Sequence, residues 1–73
     1  MKTLDQIEIG ATAKVTKVGG SGPLRRRIMD MGITKGTSIY VRKLAPLGDP
    51  MEIKIRGFEM SIRKGDAAMI EVE

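Results

Sequence analysis

Apolar and polar residues alternate along most of this chain, and a period of two predicts strands with one buried face. In Ala11–Val18, Ala13 and Val15 face one way while Thr12, Lys14 and Thr16 face the other. In Thr37–Leu44, Ile39 and Val41 share a face opposite Ser38, Tyr40 and Arg42. Met51–Arg56 puts Met51, Ile53 and Ile55 inward against Glu52, Lys54 and Arg56. Gly57 then allows a hairpin turn, after which Phe58, Met60 and Ile62 point inward against Glu59, Ser61 and Arg63. Met69–Glu73 closes the chain as a strand with Ile70 and Val72 inside. Val18 and Leu44 break the parity of their strands, which predicts a bulge or bend at each.

One stretch changes period. From Gly19-Gly20-Ser21-Gly22-Pro23 the pattern passes into Leu24, Ile28 and Met31, which fall on one side of a helix at about 100° per residue. Pro23 suits the first turn, Ser21 or Gly22 the cap, and Gly32 a left-handed residue just past the end. The narrow apolar stripe predicts a helix lying over one end of the core, with the stem of Arg27 packed beside it. Met1–Gly10, with Leu4, Ile7 and Ile9, reads as a lead-in segment with one helical turn, and Lys64–Ala68 as another single turn. Together these elements predict an all-β single domain over residues 1–73. The form expected is a small SH3-like β-barrel of about five strands, with one short α-helix after the first strand.

Composition narrows the chemistry. With no cysteine and no histidine among 73 residues, thiolate or imidazole metal sites and Cys- or His-based catalysis are excluded. No serine stands with an obvious base and the carboxylates fall mostly on outward strand faces, so no enzyme is expected. No resident cofactor or metal is expected either; carboxylates such as Asp30 and Asp49 would give a divalent ion such as Fe(II) only a weak site. There is no signal-like leader and no apolar run near about 18 residues, which predicts a cytoplasmic chain without direct membrane insertion. The net charge of +4, spread over many segments, reads first as a solvated surface kept soluble by its charge and, as the alternative, as attraction to an acidic partner. Nucleic acid is not expected, since only Tyr40 and Phe58 offer a face for base stacking. A proline-peptide groove would need several aromatic side chains and fails on the same count.

Two places stand out as binding candidates. Met29 projects between Arg25 and Arg26 on the polar side of the helix, away from the apolar stripe. A solvated helix face needs arginines but no methionine; a docking patch uses both, the thioether for adaptable contact and the arginines to select an acidic surface. The second is Ala45-Pro46-Leu47-Gly48-Asp49-Pro50, a proline-stiffened loop with Leu47 at its tip. Arg25, Arg26, Met29, Pro46 and Leu47 are therefore the candidate partner-binding residues. The glycines before the helix suggest an anion cradle, but no Lys-Ser or Lys-Thr follows them and Pro23 removes a donor, so they are read as a turn.

Leu24-Arg25-Arg26-Arg27-Ile28, Met31-Gly32-Ile33, Gly36, the Ala45–Pro50 loop and Arg56-Gly57 closely resemble the ferrous iron transport protein A (FeoA) family. The likeness continues through Met60-Ser61-Ile62-Arg63, Asp66-Ala67 and Ile70-Glu71-Val72. It implies a small cytosolic SH3-like accessory protein of a bacterial ferrous iron transport system, whose partner is the cytosolic portion of a FeoB-like permease. It also leaves open a metal-responsive regulatory domain, of the kind found fused to iron-dependent repressors. Lys35 stands where the family favours proline, Phe58 where tyrosine is common, and Asp66 where glutamate is usual.

Overall fold

The computed structural model describes residues 2–73, so Met1 of the lead-in segment lies outside the described residues. In chain order the elements are β1 (Lys2–Thr3), a 3₁₀ turn (Leu4–Gln6), β2 (Thr12–Val18), α1 (Gly22–Asp30) and β3 (Ser38–Leu44). There follow β4 (Met51–Ile55), β5 (Phe58–Ile62), the one-turn α2 (Lys64–Ala67) and β6 (Ile70–Val72). The strands form one antiparallel sheet in the order β1-β6-β2-β3-β4-β5.

Three features differ from the sequence expectation. Among the described residues there are six strands rather than five, because Lys2–Thr3 pairs with Val72 and Glu71. Two residues are too few to show an alternation. The helix α1 consequently follows the second strand, not the first. Finally, among the described residues β1 and β5 do not pair, and the sheet stays open instead of closing into a barrel. The short β1 turns away at once into the 3₁₀ turn, which carries Leu4 wholly into the core.

Both expected parity breaks are bulges. The register shifts between Val15 and Lys17 where β2 meets β6, which brings Val18 back inward opposite Ile70. It shifts again between Val41 and Lys43 where β3 meets β4, which sets Leu44 opposite Met51. An extra residue bends a strand and increases its twist, so two bulges curl this sheet around a single core. Val15, Ile39, Val41, Ile53 and Ile70 lie at its centre, as the alternation predicts.

The inward face of β5 is covered only at one end. Ile62 is 3% exposed, Met60 is half-buried, and Phe58 is 72% exposed although inward burial was expected of it. Phe58 sits at the hairpin mouth on an edge strand, and its cross-strand partner Ile55 on β4 is still in the core at 3% exposure, so burial ends between β4 and β5.

Candidate functional site

The helix α1 begins with Ser21 in an extended conformation and Pro23 in the first turn, and it ends at Met31. Gly32, at φ +94°, donates its N–H to the Met29 carbonyl at 3.0 Å, the left-handed termination that its sequence position predicts. Ile28, 1% exposed, drives into the core, and Leu24 and Met31 pack half-buried on either side of it. Thr37 fastens the exit: its hydroxyl donates to the Gly32 carbonyl at 3.3 Å and lies 3.2 Å from the Thr34 N–H, which donates to it.

Two arginines near the middle of the helix tie it to neighbouring elements. Arg25 Nε donates to the Val18 carbonyl at 3.3 Å, linking α1 to the end of β2. Arg27 pairs with Asp66 of α2 at 3.2 Å. The Arg27 side chain is 65% exposed, with its guanidinium directed at the Asp66 carboxylate.

Met29 emerges between Arg25 and Arg26, 36% exposed, in a shallow open concavity with two lobes. One lobe runs along the helix, between Gly22, Arg26 and Asp30. The other lies between the helix and the end of β2, and Lys17, Gly19, Gly20 and Lys35 line it. Arg25 and Met29 belong to both. Among the described residues, no carboxylate comes within ion-pair distance of Lys17, Arg25, Arg26 or Lys35. The cations on the outer face of β3 behave differently: Arg42 reaches Glu52 and Glu59 at 3.3 and 3.1 Å, and Lys43 reaches Glu52 at 3.6 Å.

The Gly19-Gly20 wall of this concavity is tight. Gly19 N–H donates to the Met69 carbonyl at 2.6 Å, and a Cβ on Gly19 would lie 2.8 Å from that same oxygen. The turn thus works as a close backbone crossing, in agreement with its reading as a turn.

The other candidates stand apart. Leu47 is 96% exposed at the tip of its loop, and neither Pro46 nor Leu47 lines either lobe. The loop is closed by Gly48 N–H donating to the Ala45 carbonyl at 2.7 Å and Ala45 N–H donating to that of Pro50 at 3.0 Å. Its Asp49–Pro50 peptide bond is cis. Asp49 Oδ1 accepts the backbone N–H of Lys64 at 3.0 Å, which anchors the loop to α2. The helix patch and the loop therefore share no concavity. Lys17 and Lys35, by contrast, were not sequence candidates. Lys17 has the inward parity of Ala13 and Val15 and is exposed only beyond the register shift in β2, while Lys35 lies in the turn before β3, where only its place at a position that favours proline in the family marked it.

Asp30 and Asp49 lie on different elements, and among the described residues no three Asp or Glu side chains gather closely enough to hold a metal ion. No helix of the described residues is long and apolar enough to cross a membrane.

A FeoA-like protein from Clostridium acetobutylicum superimposes with a TM-score of 0.91 at 44% identity, over 97% of this chain and 83% of that one. The FeoA of Stenotrophomonas maltophilia, solved with zinc and described as a prokaryotic SH3 domain protein, superimposes with a TM-score of 0.88 over 100% of this chain and 91% of its own; at 21% identity it speaks for the fold alone. Fold and site together define an SH3-like β domain that presents one short basic helix. Residues 2–73 match the FeoA domain, and the chain belongs to the FeoA family. A Porphyromonas gingivalis Fe(2+) transport protein A/Fe(2+) transporter FeoB fusion protein is 41% identical over 70 residues, or 96% of this chain. The present chain spans only 8% of the length of that fusion.

Proposed function

We propose that this chain is a cytoplasmic accessory module of a bacterial ferrous iron transport system, docking on the cytosolic portion of a FeoB-type permease. The observation that carries the proposal is the fusion relative, in which a domain 41% identical to this chain shares one polypeptide with FeoB. Covalent joining keeps two domains at high effective concentration, and it serves partners that work in contact. The exposed Met29 between Arg25 and Arg26, and separately Pro46 and Leu47, supply the contact residues in this reading.

The module catalyses no reaction and carries no cofactor of its own; iron is the transporter's cargo. A regulatory domain that binds a divalent ion itself would have to draw on Asp30 and Asp49. They lie on different elements, and Asp49 is already engaged by the Lys64 N–H.

Calorimetry against the isolated cytosolic domain of the permease tests the docking surface with Met29→Asp and Leu47→Asp. Both positions are exposed, so both variants stay folded. Each is expected to weaken binding about tenfold, through lost apolar burial and a misplaced charge. Unchanged affinity in both variants overturns the surface assignment.

A further inference from the structure

We infer that the concavity between α1 and the end of β2 receives an acidic peptide segment bearing one apolar side chain. The inference rests on the reading of the chain as a partner-binding module, and it adds the chemistry of what binds. The apolar element is Met29, half-exposed in both lobes. The charged element is the set Lys17, Arg25, Arg26 and Lys35, drawn from a strand, a helix and the turn before β3. None of the four makes an ion pair within the described residues, and Asp30 is the one carboxylate among the lining residues, so positive charge is in excess there. What marks this place is the convergence of four cations on one apolar side chain, an arrangement complementary to carboxylates flanking an apolar residue.

The same features disfavour two other polyanions. Tyr40 and Phe58, the aromatic side chains able to stack on bases, line neither lobe. A lipid surface takes up projecting apolar groups, and Met29 lies within a concavity flanked by arginines instead of at a protruding tip.

The test is titration of the nitrogen-15-labelled protein with a blocked synthetic peptide that carries a single leucine between two runs of glutamate. The expected result is saturable binding with amide shifts confined to residues around Lys17–Gly20, Arg25–Asp30 and Lys35. Raising the salt from about 50 mM to about 300 mM should weaken it about tenfold, because exposed charges are screened over shorter distances. Replacing the glutamates by glutamine, or the leucine by serine, should also weaken it.

The matching protein variant is Lys17→Gln with Lys35→Glu. Glutamine is used at Lys17 because Glu71 is its cross-strand partner, and a second carboxylate there would strain the strand pair. This double variant is expected to lose about tenfold in affinity while keeping the amide dispersion of a folded domain. Absence of saturable binding overturns the inference, as do shifts elsewhere, or tighter binding of a single-stranded RNA or of phosphatidylglycerol vesicles at the same residues. Binding to the permease cytosolic domain is measured alongside. Peptide binding retained with no permease binding upholds the acidic ligand and refutes the Feo docking reading. Permease binding that ignores salt and the double variant upholds docking and refutes the acidic ligand.

Discussion

Replacing Ile28 by alanine should be the most damaging change to the binding helix, although Ile28 is not itself a candidate contact residue. Of the groups that fasten α1, Ile28 is the one driven fully into the core, at 1% exposure, while Leu24 and Met31 remain half-buried. Truncating a core isoleucine to alanine costs about 2–5 kcal/mol, from lost transfer energy plus the cavity left behind. The polar tethers are weaker. Arg27–Asp66, with Arg27 65% exposed, contributes less than ~1 kcal/mol, and the part-buried Arg25–Val18 hydrogen bond contributes about 1 kcal/mol. A chain of this length has a total stability of roughly 4–11 kcal/mol, at about 0.05–0.15 kcal/mol per residue. Ile28→Ala should therefore remain folded but lose about 3 kcal/mol in urea unfolding, equivalent to a fall in Tm of about 12–24 °C. Arg27→Gln should lose less than ~1 kcal/mol. The reasoning is refuted if Ile28→Ala costs less than ~1 kcal/mol, or if Arg27→Gln costs as much. Accelerated hydrogen exchange confined to α1, with the global unfolding midpoint unchanged, would show a helix that detaches alone and would also refute it.

Gly19→Ala should destabilise the domain by about 1–3 kcal/mol, since its Cβ would lie 2.8 Å from a backbone carbonyl that cannot swing aside; thermal unfolding by circular dichroism measures this. Arg56 holds a left-handed conformation, φ +51°, in the two-residue turn between β4 and β5. Arg56→Gly should consequently raise stability by up to about 1 kcal/mol, because glycine adopts this conformation without a Cβ penalty, and an unchanged or lower urea midpoint would contradict the turn assignment.

How far the chain could be read from its residues differs from element to element. The inward sets of β2, β3, β4 and β6 were legible, because strand side chains alternate with a local period of two. So were the bulges, since Val18 and Leu44 announce them by falling out of phase. The helix and its termination at Gly32 were legible for the same local reason, as was the exposure of Met29. Lys2–Thr3 was not, because two residues carry no period and its strand character comes wholly from pairing with Glu71 and Val72.

Where an alternation ends its burial is likewise invisible to the pattern. Phe58 keeps the correct phase, yet it is exposed because β5 is an edge strand and the core at the hairpin mouth reaches Ile55 on β4 but no further. Whether the ladder closes depends on how β1 and β5 lie after the intervening chain has folded, and in this protein they do not meet. The place of Arg27 beside the apolar stripe was legible, but its acidic partner Asp66, far along the chain, was not.

The candidate site divides in the same way. The sequence alone determined that Met29 stands among arginines and that Leu47 tips a stiff loop, since neighbours on one helix or one turn are fixed by local geometry. Only the tertiary structure left that loop out of the concavity and brought Lys17 and Lys35 to Met29. Those lysines come from the end of β2 and the turn before β3, and no spacing along the chain records a meeting that packing of Ile28 against the sheet brings about.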